Sequence, residues 1–290
     1  MIDLHIHSIF SDGSDTPSQL IEKAINLKLK AIAITDHDNI EGIEEFLTYG
    51  EKKEIVVIPG IEISVRHEPK RELIDIHMLG LNIDHSSTKL INSINNQIKG
   101  RLEQKKEICK RLKVEFGYDL TFQEVKATAG SQIVGRPHIV EIMKRNNPEK
   151  VEGKSNNQLF KMISIGGAAY VDRKVELNLE ESIELIKSCG GIPILAHPGI
   201  YKVSNYTSFI EMCVNAGIEG LEIQYTYAKN RPFFGTDKAE WAQNYFPDFF
   251  EKIANKYNLI KSGGSDYHGE KKNILLGEAE VPYHYLKSFI

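Results

Sequence analysis

Hydrophobic positions cluster in short, nearly continuous runs at 2–6, 31–35, 55–63, 73–81, 192–196, 220–224 and 259–262. Runs of this length and density suit buried strands. Between the first two, TPSQLIEKAINLKLK sets Leu20, Ile21, Ala24 and Ile25 on one helical face, with Thr16 as N-cap and Pro17 at the first helical position. Strand, helix and strand in about 35 residues make a βαβ unit. The rhythm returns in LNLEESIELIKSCGGIPILAHPG, SFIEMCVNAGIEGLEIQ and FPDFFEKIANKYNLIKSGGSD, the first of which stops its helix at Gly190 and Gly191. Such alternation predicts a parallel sheet covered by helices, and seven strands predict a closed or nearly closed α/β barrel.

Residues 87–165 break this rhythm with helical patterns only: LINSINNQIKGRLEQKKEICKRLKVEF, TFQEVKATAG and GRPHIVEIMKRNN. They are expected to form a helical insertion covering the active site, and 1–86 with 166–290 the barrel. Lys105, Lys106, Lys110, Arg111 and Lys113 are expected to line a solvated helix face.

Composition narrows the function classes. The 290 residues carry a formal net charge of −4, so no global basic field holds a long nucleic acid. Cys109, Cys189 and Cys213 are odd in number and far apart, which suits neither a disulfide framework nor a CxxC zinc site and points to a reducing, cytoplasmic setting. No signal peptide and no membrane span are expected, since there is neither a basic-then-apolar leader nor a run of about 18 apolar residues.

The histidines are more informative. His5 and His7 stand two apart at the end of the first run, and residues two apart on a strand point to one side. The second run leads into Asp36 and His37 (ITDHD), the third ends near Glu62 (PGIEIS), the fourth carries His77 (DIHMLG), the fifth leads into His197 (LAHPG) and the seventh into Asp266 and His268 (GSDYHG). In parallel α/β barrels the C-terminal strand ends carry the active site. Imidazole and carboxylate donors without thiolate suit Zn, Mn or Fe. With Asp12 on the first loop, the nine side chains exceed what one ion uses, so two or three divalent ions are expected, with positions left open for water and substrate.

These motifs, DLHIHSIFSDG, TDHD, GIEIS, AHPG and GSDYHG, appear in the order and spacing of the polymerase and histidinol phosphatase (PHP) family, which the chain resembles. GRPHI and AYVDR are further similar to its standalone branch that acts on nucleotides and small phosphate esters. The resemblance implies a distorted (β/α)7 barrel with a helical insertion and a trinuclear phosphoesterase site. By the same resemblance His5, His7, Glu62 and Asp266 ligate one ion, Glu62 bridges to a second held by His77 and His197, and Asp12, His37 and His268 hold the third. Aspartate at position 12, where some members have histidine, makes that third set harder and less zinc-like.

The implied nucleophile is a metal-bound water; general-acid help comes from His197 or from another bound water. Arg136 and His138, with Tyr170 and Arg173 as weaker candidates, are implied to bind the substrate phosphate. Asp36 is expected to orient a ligand histidine, Glu222 to be a polar core residue in preference to a partner that orients a ligand, Asp38 a helix N-cap and His67 a loop residue. The expected activity is hydrolysis of a small phosphate monoester such as a nucleoside 3′,5′-bisphosphate. The alternatives are histidinol-phosphate phosphatase, 5′-3′ exonuclease action on short oligonucleotides and a non-catalytic metal-binding module.

Overall fold

The computed structural model describes residues 1–129, 133–230 and 236–290. Strands β1 (Asp3–Ile6), β2 (Ala31–Ile34), β3 (Val56–Ser64), β4 (His77–Leu81), β5 (Ile192–Leu195), β6 (Gly220–Tyr225) and β7 (Ile260–Gly264) lie side by side in chain order. The first three are mutually parallel, as are the last three. Backbone hydrogen bonds from Asp266 N to His5 O and from His7 N to Tyr267 O, both 2.9 Å, tie the end of the sheet back to β1. That contact requires glycine, because a Cβ at Gly264 would lie 2.3 Å from the Cβ of His5. The α/β barrel expected from the sequence is present and nearly closed.

The all-parallel expectation fails at β4, which runs antiparallel to both β3 and β5. The cause is the connection: residues 65–76 hold only a 3-10 turn, Pro69–Arg71, and a link without a crossover helix returns the chain antiparallel. His77 is therefore the first residue of its strand, and its pairing with Ser64 keeps it at the rim that carries Glu62.

Helix α1 (Pro17–Asn26) starts as expected, with Thr16 and Gln19 forming a capping box. It is followed by α2 (Ile43–Lys52), α3 (Thr88–Phe116), α4 (Phe122–Ala129), α5 (Arg136–Asn146), α6 (Pro148–Val151), α7 (Asn156–Ile163), α8 (Leu179–Ser188), α9 (Tyr206–Ala216) and α10 (Thr236–Tyr257). The chain divides into two compact units, Met1–Ser93 with Leu177–Ile290, and Ile94–Glu176. The barrel unit buries Leu4, Ala33, Ile58, Leu81 and Ile194 against Val281 and Phe289 of the C-terminal segment. The helical unit has its own core, including Ile108, Leu112, Val125, Ile142 and Leu159. Two of its basic residues depart from the solvated-face expectation. Lys105 is buried with Nζ donating to Gln104, and Arg111 donates to the Tyr170 carbonyl because its helix packs there. Among the described residues no helix is long and apolar enough to cross a membrane.

Asp3 fastens the closure from within. Fully buried, it accepts hydrogen bonds from Ser265 N (2.9 Å) and Ser265 Oγ (2.5 Å), and from Gly277 N (2.7 Å). In Asp3→Asn one acceptor becomes a donor facing another donor. A loss of about 1–3 kcal/mol is expected in urea denaturation of the metal-free proteins, and an unchanged midpoint would contradict this role.

Candidate metal centre

All nine expected side chains converge at one rim of the barrel. His5 lies in β1 with His7 just beyond it; His37 follows β2 and bridges to Glu62 of β3; His77 opens β4; His197 follows β5; and Asp266 and His268 follow β7. Asp12 comes from the loop after β1, where a Cβ at Gly13 would meet the His7 carbonyl oxygen at 2.4 Å, so the loop folds this tightly only with glycine there. His197 and Asp266 adopt φ values of 28° and 57°, backbone strain that surrounding structure sustains where a functional geometry is fixed.

Glu62 is the hub. Its Oε2 lies 3.4 Å from His5 Nε2, 3.3 Å from His7 Nε2 and 2.9 Å from His37 Nδ1. Its Oε1 faces His77 Nδ1 at 2.8 Å and His197 Nε2 at 3.0 Å. Asp266 Oδ1 adds a second carboxylate oxygen 3.1 Å from His7 Nε2, while Asp12 Oδ1 lies 3.1 Å from His268 Nε2. Four overlapping groups have donor atoms within 4.8 Å of one another: His7, Asp12, His37 and His268; His5, His7 and Asp266; His5, Glu62 and His197; and His37, Glu62 and His77. Their members are the nine residues and no others among those described.

Hydrogen bonding alone does not account for this arrangement. His5 Nε2, both ring nitrogens of His7, Asp12 Oδ1, Glu62 Oε2 and His268 Nε2 are buried without a hydrogen-bond partner among the described residues. Stranded polar atoms in such density are costly unless something charged joins them. Divalent ions fit the donor set. Ligands must be deprotonated, and His7 and the three carboxylates agree with that, whereas in the metal-free rim burial works to lower His5 but Glu222 and Glu62 outweigh it and hold it well above the ordinary imidazole range. Burial, with the charges of His268 and His37, lowers His7 to about 3. Burial works to raise Glu62, Asp12 and Asp266, but neighbouring imidazoles outweigh it, joined at Asp266 by Lys272, and all three stay well below the ordinary carboxylate range.

The supporting residues differ from expectation. Glu222, read from sequence as polar core, holds His5 Nδ1 at 3.0 Å and accepts from His197 N at 2.6 Å. It orients one imidazole and fixes the turn that carries another. Asp36 bonds no histidine in this way; it accepts from Ser8 N and Oγ (2.8 and 2.6 Å) and from Ser11 Oγ, and so braces the loop bearing Asp12. Asp38 is not a helix cap, a position held by Gly42, but accepts from Ser64 N at 2.9 Å. His67 lies in the β3–β4 connection, 3.7 Å from Asp75. Unforeseen are Tyr225, whose hydroxyl donates to Asp266 Oδ2 at 2.8 Å, Lys272 on the same oxygen at 2.9 Å, and Tyr201, which accepts from His77 N at 2.9 Å. No motif marked them, although a lone carboxylate in the apolar run GLEIQ was a usable signal for Glu222. Glu222→Gln is expected to weaken divalent-ion binding by about 10- to 100-fold in calorimetric titration with Mn²⁺, and unaltered affinity would remove it from the centre.

The four expected phosphate-binding residues all belong to the helical unit. His138 Nδ1 accepts from Gly135 N at 3.0 Å at the start of α5, Arg136 donates to Ser164 Oγ at 3.0 Å, Arg173 pairs with Glu176 at 3.0 Å, and the Tyr170 carbonyl receives Arg111.

Comparison with known proteins agrees with this chemistry. The chain is 26% identical over 270 residues to a phosphoribosyl 1,2-cyclic phosphate 1,2-diphosphodiesterase of Eggerthella lenta, covering 92% of this chain and 94% of that one. A 3′,5′-nucleoside bisphosphate phosphatase of Chromobacterium violaceum is 26% identical over 92% of this chain and 87% of its own. The 5′-3′ exoribonuclease Rnm of Escherichia coli is 32% identical over 92% of this chain and 84% of its own. A crystal structure described as a metal-dependent phosphoesterase from Bifidobacterium adolescentis superposes with a TM-score of 0.77 at 25% identity, covering 99% of this chain and 94% of that one. The PHP domain model matches residues 3–158. The chain thus belongs to the PHP domain family and is a metal-dependent phosphoesterase.

Proposed function

We propose that the protein hydrolyses the phosphate ester of a small molecule, a nucleotide such as a nucleoside 3′,5′-bisphosphate, at a centre of two or three divalent ions formed by the nine rim residues. The observation that carries this reading is the overlap of four ligand groups, two of which share Glu62. Glu62 would serve two ions, with His5, His7 and Asp266 about one oxygen and His77 and His197 about the other. Asp12, His37 and His268 would hold the remaining ion. Manganese, zinc and iron all suit these donors, and the aspartate at position 12 favours the harder ions there.

The nine residues would hold ions that supply an activated water as nucleophile and neutralise charge on the phosphoryl oxygens. The chain's own contribution is placement. Glu222 keeps His5 turned toward Glu62, Tyr225 keeps Asp266 turned toward His7, and Asp36 fixes the loop that brings Asp12 in. His197 has Nε2 against Glu62, which favours a ligand role over that of general acid. Arg136, His138, Arg173 and Tyr170 would bind substrate phosphate, the guanidinium groups by paired N–H donation.

Assay of the Mn²⁺-loaded enzyme against a panel of phosphate esters tests the reading. Phosphate release is expected from nucleoside 3′,5′-bisphosphates, and none from any ester would contradict it. The relation to Rnm favours a second reading, 5′-3′ cleavage of short RNA, for which a net charge of −4 still leaves enough local contacts. Faster turnover of an RNA oligomer would reverse the order, as histidinol phosphate would for the branch that acts on it. The non-catalytic alternative is disfavoured because all nine positions are filled. Three buried, unpaired cysteines agree with a reducing cytoplasmic setting.

A further inference from the structure

Two cavities of the barrel unit share a wall. One, of about 140 Å³, is lined by five of the candidate ligands together with Ile200, Tyr225, Asn230 and Lys272. Its neighbour, of about 250 Å³, is lined by Lys229, Asn230, Lys272, Asn273 and Ile274. The first has room for a phosphate group but is small against the roughly 300–1,000 Å³ of pockets that take a whole small ligand. The neighbouring cavity past Asn230 and Lys272 offers room for the rest of a substrate. The second cavity presents two ammonium groups and two carboxamides with no carboxylate in its lining, a surface that suits an anion.

Lys272 is the residue common to both. Its Nζ donates to Asp266 Oδ2 at 2.9 Å, which uses one of three N–H donors. That carboxylate oxygen already accepts from the Tyr225 hydroxyl at 2.8 Å, so Lys272 is not required to satisfy it. Lys229 pairs with Glu278 at 2.5 Å and Lys272 with Asp266 at 2.9 Å, but only Lys272 lines both cavities.

We propose that Lys272 binds a second phosphate of the substrate in the cavity it shares with Asn230, so that the enzyme selects phosphate esters carrying another phosphate nearby. This rests on the phosphoesterase reading of the adjoining centre. Calorimetry on Mn²⁺-loaded wild type, Lys272→Met and Lys272→Arg, with non-hydrolysable phosphonate analogues of adenosine 3′,5′-bisphosphate and adenosine 5′-monophosphate, tests it. Wild type is expected to prefer the bis-anion by about tenfold or more, Lys272→Met by less than about twofold, and Lys272→Arg to retain most of the preference. A wild-type ratio near one, or an undiminished ratio in Lys272→Met, overturns the proposal. So does a fall in Mn²⁺ affinity that weakens both analogues in step, since Lys272 would then act only through Asp266. Absence of phosphate release from adenosine 3′,5′-bisphosphate by wild type would instead count against the parent reading, and the binding ratio would still decide the role of Lys272.

Discussion

Glu62→Gln is expected to lower kcat/KM by about a thousandfold or more, a loss of about 4 kcal/mol of transition-state stabilisation. The residue is fully buried and meets five imidazoles with its two oxygens. Glutamine is nearly isosteric, but its amide nitrogen is a donor and cannot ligate, and its carbonyl oxygen carries no formal charge. Both flanking ligand groups lose the carboxylate charge, and one of them loses its oxygen donor, whichever way the amide turns. The fold should survive, because the neighbouring β3 to β4 register rests on backbone pairing from Gly60–Leu81 to Ser64–His77. Far-ultraviolet circular dichroism checks the fold and steady-state kinetics the activity. A variant within tenfold of wild type would show that Glu62 is dispensable.

Removal of metal is expected to have the second large effect. Chelation should abolish phosphate release, and Mn²⁺ should restore it. Stability should fall as well, because the metal-free rim buries His5 Nε2, His7 Nε2 and Glu62 Oε2 without hydrogen-bond partners among the described residues. An ion present at a hundred times its dissociation constant contributes about 2.7 kcal/mol per site, so thermal unfolding with and without Mn²⁺ should differ measurably. Coincident transitions together with chelator-resistant activity would contradict the metal reading.

The sequence made the rim legible because metal chemistry restricts residue type so strongly. Histidines and acids at the ends of apolar runs recur at His5, His37, Glu62, His197 and Asp266, and the barrel brings those ends together. His77 was identified with its direction mistaken: the pattern located the run, but strand polarity depends on the connection, and residues 65–76 lack the helix that a parallel return needs. The supporting layer was harder to read. Glu222 and Asp36 are both buried acids beside the rim, and only three-dimensional placement assigns the histidine to the first and the serines to the second. Tyr225 and Lys272 belong to no pattern, since their roles come from a single contact each with Asp266. The basic run on α3 failed as a solvated face at Lys105 because charge alternation does not reveal which side of a helix is packed.

Anomalous diffraction from crystals grown with Mn²⁺ tests the central claim most directly. Two or three peaks are predicted, one in contact with His5, His7, Glu62 and Asp266 and another with Glu62, His77 and His197. Absence of any peak within bonding distance of Glu62, in crystals that diffract well enough to show a bound ion, would contradict the account.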